Sequence, residues 1–456
     1  MNKINENIFR SYDIRGIYPE EINEEAAYAI ARATVRFLKA EKIIIGRDMR
    51  LGSPELQKAA IRGALDEGAN VYDISEVGIE LTYFACGSLK MDGGIMITAS
   101  HNPKEYNGIK LIREKAISLT SGTGLEEVRE LTLKSPWEKD KKIIKKGKII
   151  NKIVSGEYVA FIKKIIDPKK FKPLKVVLDA ENGMAGINLE KILAGSKIEL
   201  IKLNFKPDGR FPKHNPNPLL PENRVELLAA IKKTHADVGF ITDGDGDRVT
   251  IFDENGEMIV PCFAGPLVAD IILKRKREKS PIAWELRNFW SMQDVAKKYG
   301  VKLYYTKVGF PFIKLKMREK GAAFGGENSG HFFFQDFFTS DSGILAILNV
   351  IDLLSQEPAK LSQIVRKFRE KYFVIEEQNF ETENAEKIFQ KLENHYRNKG
   401  GKISHLDGIS VDFKDWHMNI RASNTEPVIR LNLEAKSQTL LKKKTKEITT
   451  LINKTK

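Results

Sequence analysis

The sequence predicts an α/β protein with three similar αβ units followed by one α+β domain. The chain has 456 residues, of which 42% are hydrophobic, and this suits several separate cores rather than one. Short apolar stretches alternate with amphipathic stretches along the first two thirds of the chain. This alternation is typical of βαβ units that build a parallel or mixed sheet covered by helices. From about residue 360 the character changes to α+β.

The first unit begins with clear helix and strand signals. Ser53 followed by Pro54 is typical of a helix start with a capping serine and a proline in the first turn. The elements predicted in this unit are a helix over 24–38, a strand over 42–45, a helix from 53 to about 68, and buried strands over 71–74 and 94–98.

A proline- and lysine-rich stretch over 135–148 interrupts the pattern and predicts a linker. The later elements are helices over 156–166, after 186, over 225–234 and over 438–452, and strands over 176–178, 238–241, 249–252, 282–284, 303–305, 322–324, 409–413 and 428–433. These elements divide the chain into four domains, at residues 1–148, 149–258, 259–362 and 363–456.

Composition narrows the class of protein. No window of about 18 apolar residues exists, and the N-terminus is polar, so we expect neither a membrane helix nor a secretory signal. Only Cys86 and Cys262 are present, which excludes a disulfide framework and favours a cytoplasmic location. The net charge of +14 fits a lysine-rich surface or a phosphorylated substrate, because the sequence has neither zinc-finger spacing nor the aromatic-basic interleaving of RNA-binding sheets.

A serine-containing turn follows the apolar strand that ends at Thr98. The stretch Thr98–Pro103 presents Ser100 at the carboxyl end of a strand, the edge of an open αβ sheet where ligands bind. The hydroxyl of Ser100 could accept a phosphoryl group, with His101 or Lys110 steadying its charge. The alternative is a capped turn in which Ser100 and Asn102 bond only to backbone.

Three aspartates alternate with glycines over residues 243–248. A tight loop can turn Asp243, Asp245 and Asp247 inward, and hard oxygen ligands suit Mg²⁺. An EF-hand calcium loop is one alternative, but Arg248 stands at the sixth position, where that loop needs glycine, and the flanks resemble strands. A second alternative is an enzyme that uses Asp243 as the phosphorylated nucleophile.

Two later loops carry polar groups suited to a sugar phosphate. The stretch 325–331 offers Glu327 and Ser329, whose carboxylate and hydroxyl match sugar hydroxyls. The stretch 421–427, with Arg430 behind it, offers an arginine fork, hydroxyls and an amide that can cradle a phosphate. The alternatives are a glycine-rich turn and a charged hairpin loop. The arginines of two further stretches, 9–16 and 46–50, are predicted on their own to form surface salt bridges.

Taken together and in this order, the motifs resemble the α-D-phosphohexomutase family, which includes phosphomannomutases and phosphoglucomutases. The resemblance runs from Phe9 to about Leu433. Its most specific parts are the turn over 98–103 and the aspartate loop over 243–248. The stretches 179–186 and 207–212 are similar to the family as well. The resemblance implies three topologically similar αβα domains with mixed sheets and a C-terminal α+β domain, arranged around a central cleft.

The resemblance also implies an activity: reversible transfer of a phosphoryl group that converts hexose 1-phosphate, of mannose or glucose, to hexose 6-phosphate. Phosphoserine, Mg²⁺ and a hexose 1,6-bisphosphate intermediate would take part. By this resemblance, Ser100 carries the phosphoryl group, and Ser100, Asp243, Asp245 and Asp247 bind the metal. The implied catalytic groups beside Ser100 are Lys110, Arg15 and His101. The implied substrate-binding residues are Tyr12, Arg248, Glu327, Ser329, His331, Lys307, Arg421, Ser423, Asn424, Thr425 and Arg430.

The sequence departs from the family in its third domain. Several bacterial members carry histidine where Phe310 stands and lysine near Glu285. The expected acid–base group is therefore Lys110, with Lys307 and Lys314 as possible substitutes.

The alternative activity is that of a phosphoglucosamine mutase, and the alternative of another class is a catalytically inactive relative that binds sugar phosphates. The expected partners are phosphorylated hexoses, without nucleic acid or membrane, and the expected state is a monomer or homodimer.

Overall fold

The computed structural model describes residues 4–135, 137, 145–276, 279–423 and 427–455. The chain forms two compact units, one made of residues 1–258 with 331–360 and the other of 259–330 with 361–456. None of the helices in the described ranges is long and apolar enough to cross a membrane. The linker predicted over 135–148 lies largely outside the described residues.

The first unit begins with a mixed sheet that has helices packed on it. Its elements are β1 (Ile14–Ile17), α1 (Glu24–Leu38), β2 (Lys42–Arg47), α2 (Ser53–Asp66), β3 (Asn70–Glu76), α3 (Ile79–Ser88), β4 (Gly93–Ile97), β5 (Tyr106–Arg113), β6 (Ile117–Leu119), α4 (Leu125–Lys134) and β7 (Ile149–Asn151). The sheet order is β1-β5-β4-β2-β3-β7, with β6 on β5. Strands β3 and β4 are parallel to β2, whereas β5 is antiparallel to β1, β4 and β6.

Local chemistry explains the ends and packing of these helices. The Asn23 side chain accepts a hydrogen bond from Ala26 N and caps α1. Helices α1 and α2 approach closely at Gly63, where a Cβ would lie 2.3 Å from the carbonyl oxygen of Tyr28. The capping role predicted for Ser53 is wrong: Gly52 is the N-cap, and Ser53 donates instead to Asp48 Oδ1 at 2.6 Å.

A second mixed sheet completes most of the first unit. Its elements are α5 (Ser155–Ile165), β8 (Leu174–Asp179), α6 (Ala185–Leu193), β9 (Ile198–Leu203), α7 (Val225–Thr234), β10 (Val238–Thr242), β11 (Val249–Asp253) and β12 (Met258–Ile259). The order is β12-β11-β10-β8-β9, in which β8 is parallel to β10 and β9 while β11 is antiparallel to β10. Every residue of β10 is buried, so the loop that follows this strand begins in the protein interior.

The second unit begins with another αβ region. Its elements are α8 (Pro261–Arg275), β13 (Ile282–Glu285), α9 (Trp290–Tyr299), β14 (Leu303–Thr306), α10 (Phe310–Lys320) and β15 (Phe324–Gly326). Strand β13 is parallel to both β14 and β15. The strand predicted over 322–324 is therefore shifted towards the C-terminus. The chain then returns to the first unit through β16 (Phe332–Phe334), β17 (Ser340–Asp341) and α11 (Gly343–Gln356).

The C-terminal region of the second unit is an antiparallel sheet packed with helices. Its elements are α12 (Leu361–Arg369), β18 (Phe373–Val374), β19 (Gln378–Glu381), α13 (Ala385–Arg397), β20 (Lys402–Ser404), β21 (Ile409–Asp412), β22 (Trp416–Ala422), β23 (Val428–Ala435) and α14 (Gln438–Asn453). The order is β18-β23-β22-β21-β20, with β19 also on β23. The predicted fold class is thus confirmed; the exact domain boundaries and the central cleft stay predictions.

Candidate active site

Ser100 lies just beyond the end of β4, as expected, and is held in an unusual conformation. Its φ of 50° is left-handed, and the residue is 1% exposed. Its Oγ donates to Asp243 Oδ2 at 2.6 Å and lies 3.3 Å from His101 Nδ1, while its amide donates to Thr98 Oγ1 at 3.0 Å. Because the hydroxyl bonds to a side chain of another sheet, the capped-turn interpretation is wrong. The strained backbone at Ser100 directs this hydroxyl towards Asp243.

The aspartate loop follows β10 and faces Ser100. Asp243, Asp245 and Asp247 are almost fully buried, and their ligand atoms lie within 4.8 Å of one another. Among the described residues, Asp245 Oδ1 has no hydrogen-bond partner. The loop joins two antiparallel strands rather than two helices, so the EF-hand alternative is wrong. We call Ser100 and these three aspartates the acidic centre, and its carboxylates could hold a metal ion.

Charges inside the acidic centre shift the pKa values of its groups in opposite directions. Burial, with repulsion from Asp247 and Asp245, raises the pKa of Asp243 to about 7. Lys110 Nζ lies 2.8 Å from Asp245 Oδ2 and 2.7 Å from Asp247 Oδ2. Burial disfavours this ammonium, but the two carboxylates outweigh that effect and raise the pKa of Lys110. Lys110 therefore holds its proton inside the acidic centre.

Two arginines flank Ser100 and the aspartates. Arg15, on β1, pairs with Asp13 Oδ2 at 2.8 Å and donates to the carbonyl oxygen of Ala99 at 3.0 Å. Arg248 Nε lies 3.7 Å from Asp243 Oδ2 and donates to His331 Nε2 at 3.2 Å. Both guanidiniums are thus built into the surroundings of Ser100 rather than lying free on the surface.

Two further predicted groups, His331 and His101, lie beside the same centre. His331 Nε2 lies 3.3 Å from Asp247 Oδ1 and 3.8 Å from Asp341 Oδ2. Burial, and then the positive charges of Arg248 and Arg15, hold the pKa of His101 well below its usual value. Tyr12 is half-buried in the bend before β1.

The sugar loop, residues 325–331, carries Glu327 and Ser329 within hydrogen-bond distance of each other. Ser329 Oγ donates to Glu327 Oε1 at 2.5 Å, and Glu327 is 5% exposed. The backbone of this loop is fixed by Glu285, whose Oε1 accepts from Asn328 N at 3.1 Å. Glu285 is therefore a support for the loop and does not supply the cation that family members place near it.

The second unit also contains converging arginines. Arg421 on β22 and Arg430 on β23 are directly cross-strand neighbours. Arg421 is 8% exposed, and its Nε has no hydrogen-bond partner among the described residues. Arg430 Nη2 donates to Ser423 Oγ at 3.4 Å. Two other predicted phosphate ligands, Asn424 and Thr425, lie outside the described residues.

Sequence reasoning missed Arg287 and Glu377. Arg287 Nε pairs with Glu285 Oε1 at 2.9 Å, and its Nη1 with Glu377 Oε2 at 3.0 Å. Glu377 Oε1 also lies 3.2 Å from Arg430 Nη1. We call Arg287, Arg421 and Arg430 the arginine cradle. Arg287 follows buried strand β13, the same signal that located Ser100, whereas no sequence signal marks Glu377.

The stretch 307–314, which holds Phe310 and the two possible substitute lysines, is mostly helix. Phe310 is the first residue of α10, after Gly309, whose φ is 125°. Lys314 is buried in α10, with its Nζ 5.8 Å from the centre of the Phe310 ring, whereas Lys307 is exposed before the helix. Of the two lysines, only Lys307 is therefore accessible to a ligand in this conformation.

The fold and the acidic centre together indicate a class: multidomain αβ enzymes with a buried serine that faces carboxylates able to hold a metal ion. The models of phosphoglucomutase/phosphomannomutase α/β/α domains I, II and III match residues 6–136, 156–256 and 264–372, and the model of the C-terminal domain matches 374–451. The chain belongs to the phosphoglucomutase/phosphomannomutase family. It is a phosphohexomutase, an isomerase, as the motifs predicted.

Individual relatives match along their whole length. A Vibrio cholerae phosphomannomutase is 40% identical over 98% of both chains. A Xanthomonas campestris protein named among phosphohexose mutases is 36% identical over 97% of this chain and 98% of its own. A crystal structure of a phosphoglucomutase/phosphomannomutase family protein from Burkholderia thailandensis superposes with a TM-score of 0.89 at 29% identity, covering 99% of this chain and 98% of that one.

Proposed function

We propose that the chain interconverts hexose 1-phosphate and hexose 6-phosphate, of mannose or glucose, through phosphorylated Ser100 and a hexose 1,6-bisphosphate. The observation that carries this proposal is the 2.6 Å hydrogen bond from Ser100 Oγ to Asp243 inside a buried set of carboxylates. A serine aimed into such a set is poorly suited to a structural turn. It is well suited to carry a group whose own negative charge needs a cation beside it.

The proposed cycle has two balanced transfers. In the first, the free hydroxyl oxygen of hexose 1-phosphate attacks the phosphorus of phosphoserine, the bond between phosphorus and Ser100 Oγ breaks, and one proton passes from the hydroxyl to the serine. In the second, Ser100 Oγ attacks the other phosphate of the bisphosphate, and the released sugar oxygen takes the proton. Lys110, held as an ammonium beside Asp245 and Asp247, is the proposed proton relay.

The acidic centre fits a hard divalent cation, and we propose Mg²⁺ held by Asp243, Asp245 and Asp247. The fit rests on the clustered carboxylate oxygens and on the buried Asp245 Oδ1, which no described residue hydrogen-bonds. When bound, Mg²⁺ would supply positive charge against the oxygens of the transferring phosphoryl group. Arg15 and Arg248 add fixed positive charge near Ser100, and His101 and His331 are proposed to contact the reacting groups.

Substrate recognition is proposed to divide between the sugar loop and the arginine cradle. Glu327 and Ser329 would bind sugar hydroxyls, since each offers hydrogen-bonding atoms on one loop. The arginine cradle, with Ser423, would bind the phosphate that is not being transferred, because the buried Nε of Arg421 has no hydrogen-bond partner in the part of the chain that the structure describes. Asn424 and Thr425, Tyr12 and Lys307 remain proposed contributors.

Phosphorus NMR of the purified protein tests this proposal. Mannose 1-phosphate, glucose 1-phosphate and glucosamine 1-phosphate are offered separately, with Mg²⁺ and a trace of the matching 1,6-bisphosphate. We expect conversion of the mannose or glucose substrate to its 6-phosphate, with loss of all turnover in Ser100→Ala. Faster conversion of glucosamine 1-phosphate would replace the proposed substrate, and full activity of Ser100→Ala would contradict the phosphoserine route.

A further inference from the structure

Arg50 is buried, contrary to the surface salt bridge predicted for the arginines of residues 46–50. It follows β2 and is 1% exposed. Asp48 fixes its base: Asp48 Oδ1 accepts from Arg50 N at 3.0 Å, and Asp48 Oδ2 lies 3.4 Å from Arg50 Nε. A fully buried arginine is rare unless its charge and donors are used, so its partners are informative.

Those partners are backbone carbonyl oxygens of one loop. We call residues 98–106 the serine loop. Arg50 Nη2 donates to the carbonyl oxygens of Ser100 at 2.9 Å and Asn102 at 2.6 Å, and Nη1 donates to those of Pro103 at 2.7 Å and Tyr106 at 2.9 Å. A planar guanidinium offers such donors in a fixed fork, which a lysine ammonium cannot reproduce. One side chain therefore sets the path of the whole turn that carries Ser100.

This clamp acts where the backbone needs support. Ser100 has a left-handed φ of 50°, a conformation that persists in a residue with a side chain only when its surroundings hold it. Its carbonyl oxygen meets Arg50 on one side. On another side it packs against the aspartate loop, since a Cβ on Gly244 would lie 2.6 Å from that oxygen. Arg50 thus fixes the serine relative to Asp243 without touching the hydroxyl.

One stretch without an assigned role packs against Arg50, and a second packs against the first. The ring of Phe211, from the stretch 207–212, lies 5.1 Å from the Arg50 guanidinium carbon. Phe211 also clusters with Met49 and with Met184, from the stretch 179–186. A Cβ on Gly209 would lie 2.4 Å from the carbonyl oxygen of Met49, so this close packing requires glycine there. The stretch 207–212 therefore covers the buried Arg50, and Met184 packs against Phe211.

We propose that Arg50 is a positioning residue for phosphoryl transfer. It fixes the serine loop so that the phosphoryl group on Ser100 stays aligned for the sugar hydroxyl and protected from water, with Phe211 holding the guanidinium in place. This inference rests on the proposed function of Ser100 as phosphoryl carrier. Because Arg50 acts through the loop backbone, its loss lowers kcat and speeds hydrolysis of phosphoserine while it leaves substrate affinity nearly unchanged.

The test compares Arg50→Lys and Arg50→Met with a matched control, Arg47→Met. Arg47 lies on the same stretch but pairs with the partly exposed Glu76 at 2.6 Å. We expect kcat to fall about 100-fold in both Arg50 variants, with KM within about threefold of the wild type and a faster loss of the phosphoserine signal in phosphorus NMR. The control should match the wild type in all three measurements.

Several outcomes would overturn the inference. These are a wild-type kcat in Arg50→Met, full rescue by Arg50→Lys, or a KM that rises as much as kcat falls. If thermal unfolding shows that the Arg50 variants do not fold, Phe211→Leu carries the test, with an expected fall in kcat of about 3- to 10-fold and unchanged KM; an unchanged kcat would then count against the clamp. Ser100→Ala separates the proposals: activity in that variant overturns both, whereas its inactivity alongside wild-type Arg50 variants overturns only this one.

Discussion

The acidic centre of the first unit brings together negative side chains, whereas the arginine cradle of the second unit brings together positive ones. In the acidic centre, burial and neighbouring carboxylates raise the pKa of Asp243 to about 7. In the arginine cradle, burial and the neighbouring Arg287 lower the pKa of Arg421. In each region, like charges are buried close to one another, which disfavours the charged form. This difference agrees with the ligands proposed above, a cation for the first region and a phosphate anion for the second.

The two regions also differ in how their charges are supported. Lys110 bridges two carboxylates of the acidic centre, so part of its negative charge is already offset. In the arginine cradle, Glu377 contacts Arg287 and Arg430, and Arg287 together with Asn432 lowers the pKa of Glu377 to about 2 despite its partial burial. Glu377 therefore stays ionised and aligns two guanidiniums. Lys110 in the acidic centre and Glu377 in the arginine cradle each contact two groups of the opposite charge.

Removing one carboxylate from the acidic centre should have the largest effect. In Asp243→Asn the hydrogen bond from Ser100 loses its charged acceptor, and the proposed metal loses a ligand. We expect kcat to fall about 10³-fold, since such groups stabilise the transferring phosphoryl group directly. Steady-state kinetics across a Mg²⁺ titration measures this, with exposed Asp415→Asn as the control. A kcat within tenfold of the wild type would contradict the comparison.

Removing one guanidinium from the arginine cradle should have a smaller effect of a different kind. Arg421→Met deletes a buried donor to the proposed phosphate, so we expect KM for hexose 1-phosphate to rise about 10- to 100-fold, with a smaller change in kcat. The matched control is Arg397→Met, because Arg397 is 59% exposed on α13. If kcat fell while KM stayed constant, Arg421 would belong to the chemistry rather than to binding.

Glu80 is a buried carboxylate that does not belong to the acidic centre, and it tests whether burial alone raises a carboxyl pKa. The test is the pH dependence of the free energy of unfolding. Glu80 accepts hydrogen bonds from Tyr158, from Ser342 at 2.8 Å and from Ile344 N at 3.1 Å, and burial raises the pKa of Glu80 to about 8. The folded state thus holds a proton that the unfolded state releases near its ordinary pKa. The contribution of Glu80 to the free energy of unfolding is complete below the ordinary pKa of a glutamate. It falls by about 1.4 kcal/mol per pH unit as the pH rises above that pKa, and it is lost above about pH 8.

Glu80→Gln should remove this dependence. Urea unfolding between pH 6 and 8 should give a flatter slope of unfolding free energy against pH than the wild type, while kcat changes little. The control is the exposed Glu41→Gln, which should keep the wild-type slope. An unchanged slope in Glu80→Gln would mean that this carboxyl is ionised in the folded protein.

Much of the fold could be predicted because its signals are local. Helices α1 and α7 begin and end at the predicted residues, since amphipathic spacing fixes them. Strand β22 was missed although its sequence, Trp416–Ala422, alternates between apolar and polar residues. Nearly all of its residues are buried, the polar ones included, which the alternation does not indicate. Ser53 failed as a cap because its hydroxyl prefers Asp48, a partner that only the folded loop supplies.

The candidate site divides in the same way. Ser100, the aspartates and the sugar loop were found because each follows a buried strand and carries an unusual set of polar residues. Arg50 and Glu377 were misjudged or missed because their importance depends on groups far away in the chain. Burial of a charged side chain has no reliable signature in one sequence.

The sequence by itself determined the α/β class, the order of the four loops and the residues proposed to handle a phosphoryl group, because these depend on short-range pattern and chemical type. Only the tertiary structure decided that Ser100 points at Asp243, that Lys110 bridges two aspartates, that Glu377 aligns the arginine cradle and that Arg50 clamps the serine loop. The physical reason is that these contacts join residues distant in sequence. Their energies depend on burial, which arises only when separate elements pack together.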